Sequence, residues 1–248
     1  MSYSISQAVR ELAEPKLAEF TAKLLPTVDP ARILGVRTPA LRKLSKKLLR
    51  EHPQEVTEFK AAVPHDFQEE DLLHVLLLNE ERDFATWHTE ITSFLPYMTN
   101  WTLTDAVSPA CVKGGKAANL PQLERACLNW LVDDRVYVQR LGVVVLMSLL
   151  GTEYFSPEHL RAVAALAGSE EYYVRVAVAW YFAEALARQE RAALPWFTLA
   201  NSSGNTDSPG LPAVTLRMAI TKAIESRRIS DDLKAELRQI RSMLPRRS

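Results

Sequence analysis

Apolar residues recur along the chain with the period of an α-helix. In Ala40–Arg50, Leu41, Leu44 and Leu48 fall on one helical face, and basic residues occupy much of the rest. The LLHVLLL run at 72–78 carries a second leucine stripe with the same period. Runs of alternating β-branched residues, which would indicate strands, are scarce. The pattern therefore predicts a mostly helical chain.

Two of the helical segments repeat one another. The segment RVYVQRLGVVVLMSLL at 135–150 aligns with EYYVRVAVAWYFAEAL at 171–186 when Tyr137 is placed on Tyr173, which is a shift of 36 residues (173 − 137). Each segment follows an acidic pair, and proline recurs between the helical segments. A repeat of about 35–45 residues built from helix pairs is typical of HEAT-like arrays, which curl into a solenoid with a concave face. We therefore expect an all-α, HEAT-like superhelical array of about six or seven helix pairs.

One stretch departs from the helical pattern. NSSGNTDSPGLP, at 201–212, is rich in Gly, Ser, Pro and Asn, a composition typical of loops. We interpret it as a loop insertion between repeats and not as a domain boundary. Residues 1–248 are then expected to form a single repeat domain.

Charge and composition narrow the possible functions. Lys plus Arg and Asp plus Glu both total 30, so the net charge is zero. This excludes a globally basic nucleic-acid coat but allows a local basic face. The chain has neither a GxGxxG sequence nor a Walker-type GK[ST] sequence, and its five histidines and two cysteines show no metal-ligand spacing. We expect no organic cofactor and no metal.

The apolar segments of the chain bear on the cellular compartment that we expect for the protein. The most apolar run, Leu141–Leu150, is about half as long as a membrane span requires. The N-terminal sequence MSYSISQAVRELAEPK lacks the apolar centre of a signal peptide. The sequence predicts a cytoplasmic protein with buried thiols and no membrane partner.

The candidate site residues come from the repeat. Trp101 and Asp105 are four residues apart and so share one helix face. Trp180 aligns with Val144, one turn beyond Arg140 on the same face. An acid, a cation and two indoles from successive repeats are expected to converge on the concave surface. The alternatives stay open: such tryptophans are commonly core residues, the Asp could be a helix cap, and the Arg could only bridge two repeats.

The chain resembles the bacterial DNA alkylation repair glycosylases of the AlkD type. The resemblance covers nearly the whole chain, through ILGVRTPALRKLSKKL (33–48), FLPYMTNWTLTDAVSP (94–109), EEYYVRVAVAWYFAEALA (170–187) and KAIESRRIS (222–230). In that family a Trp-x-x-x-Asp pair, a later Arg and a later Trp line the DNA-binding cleft. All four residue types are retained here, although the segment VTLRMAI at 214–220 and the 201–212 insertion depart from the family pattern.

The resemblance implies an enzyme. It would hydrolyse the N-glycosidic bond of cationic alkylated purines, such as 3-methyladenine or 7-methylguanine, in duplex DNA during base excision repair, and it would act as a monomer. The implied catalytic residues are Asp105, Trp101 and Trp180. The residues expected to bind DNA are Arg140, Arg175, Lys113, Lys116, Arg37 and Arg217. The alternative function is a non-catalytic HEAT-repeat adaptor that binds protein or nucleic acid through its concave face.

Overall fold

A computed structural model describes residues 3–112, 117–200 and 209–245. Within these ranges the regular structure is helical, apart from an isolated β-bridge between Leu199 and Leu211. The all-α class predicted from the periodicity is therefore confirmed. The chain divides into two compact units, Met1–Asn119 and Leu120–Ser248.

The first unit contains seven α-helices among its described residues. They are α1 (Ile5–Arg10), α2 (Pro15–Leu24), α3 (Thr38–Glu51), α4 (Pro53–Ala61), α5 (Gln68–Leu78), α6 (Phe84–Phe94) and α7 (Trp101–Ala106). Proline lies in the first turn of α2, α3 and α4, where its missing N–H would have no partner within the helix. The leucine stripe predicted for α3 is present, since Leu41 and Leu48 are fully buried.

Helix α5 is the centre of the first unit, and it is buried on every side. The sequence predicts one leucine stripe in this segment, but all eleven residues of α5 are buried, including its polar start. Gln68, Glu69, Glu70 and Asp71 are each at most 3% exposed. Four consecutive polar side chains can be buried in this way only if each has partners, because an unpaired buried charge is costly.

The three acids of α5 bind three different groups. Glu69 accepts hydrogen bonds from the backbone N–H groups of residues 34, 35 and 36 at 2.9, 2.7 and 3.3 Å. Glu70 accepts from the backbone N–H groups of Asp66 and Phe67, both at 3.1 Å, and so caps its own helix. Asp71 pairs with Arg32 at 3.0 Å. Burial raises the pKa of Asp71 to about 7, although Arg32 acts in the opposite direction.

A second buried polar pair lies further along α5. His74 is 4% exposed, and its Nδ1 lies 2.9 Å from Nε2 of His65. Burial lowers the pKa of His74 to about 3, with His65 and Lys60 adding to the effect. The ring stacks on Phe94 at a centroid distance of 4.0 Å. His74 is therefore a buried histidine whose ring has its partners within the first unit.

The second unit also has seven α-helices among its described residues. They are α8 (Leu120–Leu131), α9 (Val136–Leu146), α10 (Pro157–Ala164), α11 (Tyr172–Arg188), α12 (Glu190–Ala193), α13 (Ala213–Glu225) and α14 (Asp231–Met243). Helix α11 is the central element, since it packs against both α9 and α13. Helices α10 and α14 begin after Ser156 and Ser230, and each of these serine side chains caps the helix that follows.

The 36-residue repeat is visible in matched hydrogen bonds. Gln139 donates to the carbonyl of Asp133 at 2.7 Å, and Arg175, which is 36 residues after Gln139, donates to the carbonyl of Ser169 at 2.5 Å. The side chains of Asp133 and Ser169 each accept from the backbone N–H two residues later, at 2.9 and 3.2 Å. The starts of α9 and α11 are therefore the same local structure, built twice.

Three further observations bear on the sequence predictions. Residues 201–208, most of the interpreted insertion, lie outside the described residues. Cys111 and Cys127 are both buried free thiols, as expected. Within the described ranges no helix combines the length and apolar character that a membrane crossing needs.

The turn that Glu69 binds depends on a glycine, which generates a stability prediction. Gly35 has φ +76, and a Cβ built there would lie 2.3 Å from the backbone N of Ala18. We expect Gly35→Ala to lower the free energy of unfolding by about 2 kcal/mol or more, because left-handed strain and a backbone clash add together. Urea denaturation measures the change.

Gly168 provides the matched control for this prediction. Its φ is not in the left-handed region, and a Cβ there would meet no atom within 4 Å. We expect Gly168→Ala to leave the stability within about 0.5 kcal/mol of the parent protein, or to raise it slightly. Equal losses in the two variants would contradict the role given to Gly35.

Candidate functional site

Helix α7 carries the first pair of candidate residues. Its buried side consists of Leu103, Thr104 and Ala106, whereas Trp101 and Asp105 are partly exposed. Because they are four residues apart, the indole and the carboxylate lie one turn apart on the same side of the helix. Trp101 and Asp105 are therefore partly exposed residues on one side of α7, and Thr102 is partly exposed as well.

Trp101 is part core residue and part surface. Its Nε1 donates to the carbonyl of Leu24 at 3.1 Å, and its ring packs against the cluster formed by Leu25, Val28 and Ile33. The indole also lines an open cavity of about 370 Å³. Arg37, Leu17, Leu24, Pro39 and Leu72 are among the other residues of its wall. Trp101 therefore contributes to the core of the first unit and also borders a cavity, and its role in a functional site stays a prediction.

Asp105 lies near the C-terminal end of α7. One carboxylate oxygen, Oδ1, accepts a hydrogen bond from the Thr104 hydroxyl at 3.2 Å. Asp105 is not the cap of this helix, because Asn100 fills that position and accepts from the backbone N–H of Thr102 at 3.0 Å. The alternative interpretation of Asp105 as a helix cap is therefore excluded.

Two buried amides of the first unit hold α7 at its ends, and the sequence analysis did not single them out. Gln68 bonds to Asn100 and Thr102 at the start of the helix. Asn79 bonds to Ala106 and Ser108 at its end. A single sequence gives no signal for either amide, because their partners are 27 to 34 residues away.

Arg37 is exposed but already has a partner. Its guanidinium binds both carboxylate oxygens of Glu14, at 2.8 and 2.9 Å. This hydrogen bond lowers the pKa of Glu14 and raises the pKa of Arg37. A phosphate that binds Arg37 therefore has to compete with Glu14 or share the guanidinium with it.

Trp180 lies on the accessible stripe of the central helix of the second unit. Most of α11 is buried, but Tyr173, Val176, Trp180 and Glu184 are partly exposed and recur every three or four residues. On α9, Tyr137 and Val144 are the partly exposed equivalents of Tyr173 and Trp180 under the shift of 36. The two helices are in contact, with the rings of Tyr137 and Tyr173 separated by 6.0 Å. The face deduced for Trp180 from the repeat is therefore the accessible face.

Arg140 has the register of this stripe, but it is buried. Only 3% of the residue is exposed, and its Nη1 donates to the carbonyl of Tyr173 at 2.6 Å. The guanidinium thus joins α9 to the first turn of α11. This contact is the bridging role that the sequence analysis left open for Arg140, and phosphate binding by the same side chain stays a prediction.

The other basic candidates fall into two groups. Arg175 donates to Ser169, as described above, and Arg217 donates to the carbonyls of Leu244 and Pro245 at 3.1 and 2.9 Å. Both arginines therefore hold the ends of structural elements in the second unit. Lys113 and Lys116 lie outside the described residues.

The described residues contain no group of three or more His, Cys, Asp or Glu side chains arranged to hold a metal ion. Burial raises the pKa of the Cys127 thiol well above its usual value.

A family model described as DNA alkylation repair enzyme matches residues 5–223. The chain belongs to this family, and its role is therefore in the repair of alkylated DNA. No individual curated protein gives a significant match to the chain.

The burial of Arg140 generates a prediction about stability. Removing the guanidinium takes this hydrogen bond from the partly buried Tyr173 carbonyl, and a hydrogen bond that involves a charged group contributes about 1.5–3 kcal/mol. We expect Arg140→Ala to lower the free energy of unfolding by this amount, measured by denaturant titration. Arg135→Ala is the control on the same segment, because Arg135 forms a half-exposed pair with Asp133 at 2.8 Å. Its loss should cost less than about 1 kcal/mol, and an equal loss in the two variants would contradict the bridging role.

Proposed function

We propose that this protein is a DNA glycosylase that hydrolyses the N-glycosidic bond of cationic alkylated purines, such as 3-methyladenine and 7-methylguanine, in duplex DNA. Membership of the DNA alkylation repair family supplies the general role. The observation that carries the specific proposal is the position of Asp105 and Trp101, which are both partly exposed and lie one turn apart on α7.

One carboxylate is sufficient for this reaction. A purine alkylated at N3 or N7 carries a positive charge and leaves as a neutral base, so it needs little help from a general acid. Breaking the bond from C1′ to the base nitrogen leaves positive charge on the deoxyribose, which becomes oxocarbenium-like. Asp105 stabilises this charge and orients the water that adds to C1′, with loss of a proton to solvent.

The electrostatic attraction between the Asp105 carboxylate and the developing positive charge on the sugar is large enough to affect the rate. A carboxylate about 4 Å from a developing unit charge, at an effective dielectric constant of about 20, contributes about 4 kcal/mol. This corresponds to roughly a thousandfold in rate. The charge is absent from the ground-state duplex sugar, so the interaction is stronger in the transition state and accelerates the chemical step.

The other candidate residues bind and orient the DNA. Trp101 and Trp180 offer indole faces to the deoxyribose and the cationic nucleotide, each worth on the order of 1 kcal/mol. Arg140, Arg175, Arg37, Arg217, Lys113 and Lys116 are proposed to contact the phosphate backbone, which positions the duplex without reading its sequence. On binding a phosphate, each of these arginines would either keep its hydrogen bonds to the protein or replace them with hydrogen bonds to the phosphate.

The alternative function is a non-catalytic adaptor. The partly exposed stripe of α11 favours an adaptor, because aromatic residues on the surface of a helical repeat also suit a protein partner. The adaptor has no need for a carboxylate beside Trp101, so two experiments distinguish it from the enzyme.

The first experiment replaces the carboxylate. Asp105→Asn keeps the shape and removes the charge, so release of 7-methylguanine from methylated duplex DNA should fall by roughly a hundredfold to a thousandfold. Binding to undamaged duplex should stay the same or tighten slightly, because a carboxylate near phosphates is repulsive in the ground state. Single-turnover base release and a binding titration on the same preparation measure the two effects.

Glu19→Gln is the control for this experiment. It removes one carboxylate from an exposed position on α2 of the same unit. We expect it to leave base release within about twofold of the parent protein, as for an ordinary surface change. Equal base release by the parent protein and the Asp105→Asn variant would exclude Asp105 as a catalytic residue and favour the adaptor.

The second experiment tests DNA binding through its salt dependence. Each phosphate contact contributes about −0.9 to the slope of log affinity against log salt. We expect steeply salt-dependent binding to duplex DNA, with Arg37→Ala reducing the slope by about one. Arg50→Ala is the control at the other end of α3, where Arg50 pairs with Glu51 on the surface, and it should leave the slope unchanged. Filter binding at a series of salt concentrations gives the slope, and no retention of duplex at low salt would exclude the glycosylase.

A further inference from the structure

We propose that Asn79 and Gln68 are positioning residues for Asp105, and that they act by fixing the two ends of α7. This inference rests on the proposed function, because it gives these residues a role in the reaction assigned to Asp105. Neither amide is partly exposed as Asp105 is, so neither is a candidate for contact with DNA. Asn79 is 8% exposed and Gln68 is 3% exposed.

The need for positioning comes from the length of α7. It has six residues, which is less than two turns. A helix this short is not stable by itself, because the few hydrogen bonds it forms do not offset the entropy of nucleation. The position of the Asp105 backbone therefore depends on what holds the two ends of the helix.

The N-terminal end is held by Gln68 through Asn100. The amide of Asn100 donates to Oε1 of Gln68 at 2.8 Å, while Nε2 of Gln68 donates to the Thr102 hydroxyl at 2.8 Å. Oδ1 of Asn100 in turn accepts from the backbone N–H and the hydroxyl of Thr102, at 3.0 and 2.6 Å. Asn100 is fully buried, so this network fixes the first turn and the start of the Trp101 segment.

The C-terminal end of α7 is held by Asn79, which binds the last residue of the helix and two residues that follow it. Its Nδ2 donates to the carbonyl of Ala106 at 2.8 Å, which is the residue next to Asp105. Its Oδ1 accepts from the backbone N–H of Ser108 at 2.7 Å. Its own backbone carbonyl accepts from the N–H of Ala110 at 2.7 Å. Three hydrogen bonds to one residue fix the chain immediately after the carboxylate.

Both tethers come from the same rigid element. Gln68 is the first residue of α5, and Asn79 is its C-cap. Because α5 is buried on every side, it cannot move without disturbing the core of the first unit. The short helix α7, which carries Asp105, is thus held in place by hydrogen bonds from the fully buried helix α5. Support of this kind keeps a reacting group in a productive geometry.

The test uses variants of nearly the same shape, each of which removes the amide N–H donors of Asn79 or of Gln68. Asn79→Asp keeps the acceptor for Ser108 and loses the donor to Ala106, whereas Gln68→Glu keeps the acceptor for Asn100 and loses the donors to Thr102 and Asn100. We expect each variant to slow single-turnover release of 7-methylguanine roughly tenfold or more, since a displacement of about 1 Å can cost about a hundredfold. The dissociation constant for undamaged duplex should change less than twofold.

Two controls separate positioning from simple loss of stability. Ile91→Val removes one methyl group from a fully buried residue of α6 in the same unit, and it should lower the melting temperature without slowing base release. The second control places each amide variant in the Asp105→Asn background. If the amides act only through the carboxylate, they should cause no further loss of the residual rate there.

The outcomes are distinct. Base release within twofold of the parent protein in both amide variants, or the same fold-loss with and without the Asp105 carboxylate, would overturn the positioning role. A parallel loss of duplex binding would also overturn it, because the effect would then be structural. If Asn79→Asp does not fold, Gln68→Glu carries the test by the same criteria. An Asp105→Asn protein that releases base normally would instead overturn the proposed function itself.

Discussion

The polar start of α5 is the constraint on which the first unit depends. Four consecutive buried residues each bind a different neighbour: Gln68 binds the start of α7, Glu69 the turn at 34–36, Glu70 its own helix cap, and Asp71 the side chain of Arg32. None of these groups could be buried without its partners. The hydrogen bonds that allow these four polar residues to be buried therefore also hold the surrounding segments in place, including α7, which carries Asp105.

The two units use arginine and amide side chains in the same structural way. In the second unit, Arg140, Arg175 and Arg217 donate to backbone carbonyls near helix ends, and Gln189 does the same to Leu150 at 2.7 Å. These contacts join neighbouring segments of the second unit through backbone carbonyls. For a member of a DNA repair family this matters, because the residues proposed to bind phosphate also maintain the packing. A loss of DNA binding on mutation of Arg140 is informative only beside a measurement of stability.

Much of the fold could be predicted from the sequence, because its information is local. The period of the leucines, the caps at Ser156 and Ser230 and the repeat between α9 and α11 involve residues close in sequence or aligned by one constant shift. The same shift placed Trp180 on the accessible stripe, and the four-residue spacing placed Trp101 and Asp105 on one face. The burial of Glu69 and the roles of Gln68 and Asn79 could not be predicted, because acids and amides are ordinarily exposed and their partners here are distant in sequence. The carbonyl partners of Arg175 and Arg217 were not predicted either, since a guanidinium can donate to a backbone carbonyl as well as to a phosphate.

The contact between Glu69 and the turn at 34–36 also has a consequence for how the chain is made. The three backbone N–H groups of this turn precede their acceptor by 33 to 35 residues. Translation adds residues from the N-terminus, so the turn leaves the ribosome while the carboxylate that will bind it is still inside the tunnel or not yet joined. The connection between α2 and α3 can reach its final form only after α5 has emerged. The connection between α2 and α3 is therefore completed late, although both of its flanking helices include residues made before α5.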